Sequence, residues 1–263
     1  MNALVLADLH LAPNNLQPGF NLNKSKRIIN NIILNDSLSN ADIVIIAGDV
    51  IESTIMTYYD YNPLDALYEL FEKPVIFCLG NHEFAYKKHA DVIDYWSKFK
   101  HDHVHCLDID GCVNYGNCNF VGNVLWYDFS LNKNKTIMQG EIISNWLDSS
   151  IEEFDPLLEC SKCKEQIFNN LSKEKKNILI THMVPHIELN TFSREQPDSP
   201  YNAYSGCERF LLDCKDKGFD IEYAICGHTH KREVKTISDI NCINIGNDYF
   251  SRSNSIAKML IEF

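Results

Sequence analysis

Asp42-Ile-Val-Ile-Ile-Ala-Gly-Asp-Val-Ile-Glu52 is the stretch from which the rest of the chain can be read. Its apolar, mostly β-branched run from Ile43 to Ala47 shows no polar alternation, the pattern of a strand buried on both faces. The run stops at Gly48-Asp49, so the strand delivers a carboxylate at its carboxyl end, and Asp49 becomes a candidate site residue. Four other apolar runs stop at polar residues of related chemistry. Ala3–Ala7 leads into Asp8-Leu9-His10, and Val75–Leu79 into Gly80-Asn81-His82-Glu83. Ile178–Ile180 leads into Thr181-His182, and Tyr223–Cys226 into Gly227-His228-Thr229-His230.

Around these runs the chain alternates. After a polar loop, Pro13–Asn23, helical spacing of Ile28, Ile29, Ile32 and Ile33 predicts a helix over Lys24–Leu34. Asn62-Pro63 opens a second helix with Leu64, Leu67, Leu70 and Phe71 on one face, and a third spans about Lys88–Phe99. Strand–helix alternation predicts an α/β fold with a parallel sheet. Val104–Tyr127 reads instead as short antiparallel hairpins with turns at Asp110-Gly111 and Tyr115-Gly116-Asn117. A helical excursion follows over about residues 129–172. Gly206–Lys217 is helical, and short strands close the chain at Met259-Leu260-Ile261. With no repeat, low-complexity tract or linker, residues 1–263 read as one domain.

Composition narrows the functional classes. The 263 residues are 45% hydrophobic and 23% charged, ordinary globular usage. A net charge of −12 argues against an extended nucleic-acid surface, since phosphate contacts need clustered Lys and Arg. No apolar run approaches the ~18 residues of a membrane span. Asp8 follows Met1 too closely to leave room for a signal peptide, so a cytoplasmic location without membrane contact is expected. The ten cysteines are scattered and several lie in strand-like runs, which suits reduced thiols. Cys160-Ser-Lys-Cys163 lacks a partner pair at zinc-site spacing and reads as incidental.

The strand-end residues have a common chemistry. Asp8 with His10, and His228 with His230, stand two apart, a spacing that lets both side chains reach one ion where a strand breaks into a loop. Carboxylate oxygen, imidazole nitrogen and the Asn81 amide oxygen form a mixed N/O set suited to Mn²⁺, Fe, Zn²⁺ or Co²⁺. Asp8, His10, Asp49, Asn81, His182, His228 and His230 exceed what one tetrahedral ion takes, but suit two ions sharing a carboxylate.

In this order, Asp8-x-His10, Gly48-Asp49, Gly80-Asn81-His82-Glu83, His182 and Gly227-His228-x-His230 resemble the calcineurin-like metallophosphoesterase superfamily. The blocks span residues 8–230. The resemblance implies a four-layer α/β/β/α sandwich with the site at the carboxyl ends of its central strands. It also implies one ion on Asp8, His10, Asp49 and His230, and a second on Asp49, Asn81, His182 and His228. The implied activity is hydrolysis of phosphate esters by in-line attack of a hydroxide held between the ions. By the same resemblance His82 protonates the leaving oxygen. Glu52 takes the place of an aspartate that pairs with this histidine in some relatives, against the alternative of a glutamate capping the following loop.

Departures from the family pattern bear on substrate. Protein phosphatases of the family carry Gly-Asp-x-x-Asp-Arg-Gly, whereas the run here is Gly48-Asp49-Val-Ile-Glu52-Ser53-Thr54. Loss of that arginine favours a phosphodiesterase or a small-molecule or nucleotide phosphoesterase over a phosphomonoesterase such as a serine/threonine protein phosphatase. Candidates to replace it are Arg194, Arg209 and Lys231-Arg232. The polar, proline-marked segment of about 183–207 is too long for a plain connection and reads as a substrate loop. In it Tyr201 and Tyr204 are candidates to stack on a base, the competing reading being that they pack the loop down. His101-Asp-His-Val-His105 reads as an exposed strand, His186 as a rim residue, His89 as a helix-surface residue, and Phe120, Trp126, Tyr127 and Phe129 as core. A non-catalytic metal-binding scaffold is the alternative of another class.

Overall fold

The apolar runs become strands that divide between two sheets. The computed structural model describes residues 1–11, 37–51, 62–133, 137–190, 195–246 and 257–263. The helix expected over Lys24–Leu34, and the loop before it, lie outside these residues. In chain order the strands are β1 (Asn2–Leu6), β2 (Ile43–Ala47), β3 (Val75–Cys78), β4 (Val104–Cys106), β5 (Cys112–Tyr115), β6 (Cys118–Asn123), β7 (Lys176–Thr181), β8 (Ile221–Cys226), β9 (Glu233–Ile237), β10 (Ile240–Asn244) and β11 (Met259–Glu262). The helices are α1 (Pro63–Phe71), α2 (Asn81–Phe84), α3 (His89–Ser97), α4 (Leu107–Asp110), α5 (Pro156–Asn170) and α6 (Phe210–Asp216).

One sheet runs β11-β1-β2-β3-β4 and the other β5-β6-β7-β8-β10-β9. Strands β1 to β4 are parallel, with Leu4 opposite Val44 and Ile45 opposite Ile76, and β11 returns antiparallel to β1. In the second sheet β6, β7, β8 and β10 are parallel, flanked by antiparallel β5 and β9. The two inner faces pack on each other: Val5, Ile43, Ile45 and Ile76 share a core with Phe120, Ile178, Ile180 and Ile225. The opposite faces, through Leu4, Val44 and Phe77 or Val121, Leu179 and Ala224, are covered by helical residues including Leu67, Trp96, Ile167 and Phe210. The result is the expected layering of helix, sheet, sheet and helix. Because the central strands are apolar on both sides, their sequences show no alternation.

The stretch 104–127 differs from the hairpin expectation. Val104–Cys106 joins the first sheet parallel to β3, since its two buried side chains extend that core. Asp110-Gly111 is the end of α4, and only Tyr115-Gly116-Asn117 turns a hairpin. His101 and His103 precede the strand and pack on Tyr68 at 4.9 and 5.4 Å between ring centroids. The excursion is helical only at Leu147–Ser150 and α5 among the described residues. Asn62 and Asp155 cap α1 and α5, each before a proline, by accepting first-turn amides.

Asp108 ties the two sheets together beside the site. Its carboxylate accepts the Leu79 amide at the end of β3 (2.7 Å) and the Val124 amide just past β6 (2.9 Å). No described helix is long and apolar enough to cross a membrane.

Strand β6 approaches β7 closely at Gly122, where an added Cβ would lie 1.6 Å from the Ile180 carbonyl oxygen. Gly122→Ala should therefore destabilise the fold by at least ~3 kcal/mol in urea unfolding, the upper end of ordinary overpacking. A change within about 0.5 kcal/mol, typical of a surface substitution, would contradict that approach.

Candidate metal centre

Each strand end breaks into a loop tight enough to turn its polar residue inward. Asp8, His10, Asp49, His228 and His230 all adopt left-handed backbone, with φ of 52°, 44°, 49°, 67° and 52°. Such conformations cost an L-residue about 1–2 kcal/mol each and persist where the surroundings over-determine them. Here the surroundings are backbone bonds between loops: Asp8 N donates to Gly48 O (3.1 Å) and His10 N to Asp49 O (2.9 Å). His228 N donates to Asp8 Oδ1 and His82 N to Asp49 Oδ1, both at 3.0 Å. Glycine is required beside them. A Cβ at Gly80 would stand 2.1 Å from Asp49 Oδ1, and one at Gly48, whose φ is +80°, 2.3 Å from His182 Nδ1.

Two overlapping groups result. Donor atoms of Asp8, His10, Asp49 and His230 all lie within 4.8 Å of one another. On the other side of Asp49, His182 Nε2 is 3.4 Å from Asp49 Oδ2 and 3.0 Å from Asn81 Oδ1, and His228 Nδ1 is 3.2 Å from His182 Nε2. Asp49 belongs to both groups.

Hydrogen bonds behind these atoms fix which lone pair faces in. His182 places Nδ1 3.1 Å from the Ala47 carbonyl, to which it donates, leaving Nε2 for the site. His228 places Nε2 3.2 Å from the Tyr204 carbonyl, leaving Nδ1. Asn81 Nδ2 donates to Asp148 Oδ1 (2.8 Å), leaving Oδ1. Such outer partners set tautomer and orientation in metal sites. Acceptors thus converge on one point, and Asp49 Oδ2, on a residue 1% exposed, has no hydrogen-bond partner. A buried carboxylate oxygen without a donor is strongly unfavourable unless a cation meets it. The N/O donor set fits a divalent transition metal.

The charges of the clustered groups act on one another. Burial pushes the Asp49 pKa up, but the His182, His82 and His10 imidazoles outweigh it and hold the group well below its ordinary value. Burial opposes charge on His182 too, yet the Asp49 carboxylate raises it to about 9. His228 is held well below its ordinary value by burial and by its cationic neighbour His182. Glu83 is pushed up to about 8 by burial and the Asp49 charge. Its oxygens accept the amides of Ile51 and Gly80, both at 2.7 Å, stitching the Asp49 loop to the Asn81 loop.

The other sequence candidates are distributed as follows. His82 keeps 27% of its side chain exposed, with Nε2 4.0 Å from Asp49 Oδ2 and its ring edge-on to His10. Glu52 and Arg194 lie outside the described residues. The Tyr204 ring is fully buried against Tyr127 and Trp146, and its hydroxyl accepts Ile143 N and donates to Glu141 O. It therefore offers no face to a substrate, because the excursion packs over it. Tyr201 is half-buried, stacked on Trp146 and held through its hydroxyl by Asn145 Nδ2. His89 is no surface residue: it stacks on Phe84 and Phe154 and accepts the Trp126 indole N–H. His186 is buried and accepts the Glu188 amide as a cap. Glu83 was readable as an acid three residues past Gly80 at a helix start, whereas nothing local marks Asp148.

Comparison with known proteins agrees with this geometry. Residues 1–232 match the model of the calcineurin-like phosphoesterase family. The chain belongs to this family. It is accordingly a phosphate-ester hydrolase of a dimetal-dependent family, with an Asp/His cluster able to hold metal. Its fold is similar to that of the phosphopantetheinyl hydrolase PptH of Mycobacterium tuberculosis, at 15% identity and a TM-score of 0.63 over 99% of this chain and 95% of that one. It is also similar to a dimetal phosphatase of Danio rerio, at 13% identity and a TM-score of 0.54 over 98% and 91%. No curated protein matches the sequence.

A divalent ion has to displace the proton that His182 carries below about pH 9. Because this pKa is raised from the ordinary 6.5 to about 9, apparent metal affinity at a site that uses His182 should rise with pH up to about pH 9, by up to about tenfold per unit. Calorimetry at pH 7 in buffers of different ionisation enthalpy should show roughly one proton released per chain on loading. No release would mean that His182 is already neutral.

Proposed function

We propose that this chain hydrolyses phosphodiesters or small nucleotide phosphoesters at a pair of divalent transition-metal ions, with Mn²⁺ as the working metal. The carrying observation is Asp49: buried, one oxygen ringed by the imidazoles of His10, His82 and His182, and shared between two groups of donors. Asp8, His10, Asp49 and His230 would hold one ion, and Asp49, Asn81, His182 and His228 the other. When bound, the ions polarise the phosphoryl oxygens and make water a competent nucleophile at neutral pH. Asp49, held in its loop and shared by both groups, would serve both ions and so centre the site on itself. His82, partly exposed beside Asp49, donates a proton to the departing oxygen and regains one from solvent.

The diester preference is supported by the absence of the family arginine after Gly48-Asp49 and by two of the candidates to replace it. Arg209 is committed to Asp213 and Asp216, and Lys231 to Glu195. A monoester dianion asks for an additional fixed positive charge more than a diester monoanion does. The ten cysteines are all free thiols, which supports a reducing, cytoplasmic setting.

Metal-stripped protein refilled with Mn²⁺ should hydrolyse a chromogenic phosphodiester faster than the matching monoester. Asp49→Asn should reduce the rate by more than ~100-fold, beyond the range of an outer-shell change. Turnover of the monoester alone would overturn the diester reading, and silence on both by metal-loaded protein would favour a non-catalytic scaffold. His82→Ala should retain metal yet slow esters of poor leaving groups by about 10²–10⁴-fold, and activated esters far less. Equal losses on both would remove His82 as the acid.

A further inference from the structure

An asparagine side chain binds a cation only through its oxygen, and nothing within the residue decides which end of the amide points inward. At Asn81 the decision is made from outside. Asp148, fully buried, accepts Asn81 Nδ2 on Oδ1 and the Trp146 indole N–H on Oδ2, each at 2.8 Å. In its ionised form the carboxylate only accepts, and with both oxygens accepting, from Asn81 and Trp146, turning the amide over would set oxygen against oxygen at the same distance. The neighbouring part of the excursion acts on the same half of the site. Trp146 stacks on Tyr201 and Tyr204 at 5.3 Å and meets His228 edge-on at 6.1 Å. Tyr204 in turn holds His228 through its carbonyl.

We propose that Asp148 is a positioning residue: seated by Trp146, it locks Asn81 with its oxygen toward the ion shared with His182 and His228. The inference rests on the dimetal reading above. It assigns to the segment between β6 and α5 the task of building one ion's donors while leaving the other's to the strand-end loops.

The test is an exchange. In Asp148→Asn, the amide at position 148 can satisfy both Asn81 and Trp146 only if Asn81 turns its oxygen away from the site; otherwise one of the two donors is left unmet. Combining Asp148→Asn with Asn81→Asp restores the chain of bonds in reverse: the amide at 148 donates to the carboxylate at 81 and accepts from Trp146. Calorimetric titration with Mn²⁺ and electron paramagnetic resonance of the spin-coupled pair provide readouts independent of turnover. The unsubstituted chain should bind two ions. Asp148→Asn should bind one with unchanged affinity and the second ~10–100-fold more weakly, with loss of the coupled signal. The exchanged pair should regain the second ion and the coupling. A single variant that loads both ions normally, or an exchange no better than the single variant, overturns the positioning role. Failure of the unsubstituted chain to take a second ion overturns the dimetal reading itself. If Asp148→Asn does not fold, the exchanged pair alone decides between these outcomes.

Discussion

A carboxylate sealed from water with one oxygen unmet is the condition to which the rest of this molecule answers. Asp49 leaves β2 in a left-handed turn, Gly48 and Gly80 clear the space around it, and imidazoles surround it. In an apolar interior the cost of burying such a charge is offset here by the imidazoles of His182, His82 and His10 around it. The strand-end loops tolerate it because they are bonded to one another through backbone amides rather than to solvent. Rigidity and electrostatic demand therefore have the same source: the loops that cannot relax are those that hold the charge in place.

Backbone strain is also present in the same shell. Five donor residues take backbone conformations normally left to glycine, and each aims a side chain that an extended strand would point into a sheet face. The sheets supply the opposing stability through an interior of aliphatic side chains on both faces. This is why the central strands read as unbroken apolar runs.

The strands and donors were legible in the sequence because each depends on a short pattern: an apolar run that stops, then a polar pair at fixed spacing. What escaped reading depends on partners far along the chain. Val104–Cys106 was taken for part of a hairpin because its pairing with β3 has no local mark. Loop packing by Tyr204 is one of the two readings the sequence offers, but nothing local shows that Ile143 and Glu141 hold its hydroxyl or that its carbonyl serves His228. Asp148 reaches Asn81 across 67 positions from a segment with no recognisable pattern. His89 carries no sign that Phe154 will stack on it.

The bond from His228 N to Asp8 Oδ1 joins residues 220 positions apart, and β11 closes the first sheet against β1. Closing so long a loop comes late, after local structure has formed. During synthesis from the amino end, Asp8 and Asp49 emerge well before the histidines of β7 and β8, so no partial chain can present a complete set of donors. The proposed ion pair would therefore require both halves of the chain to be made and docked before it could bind.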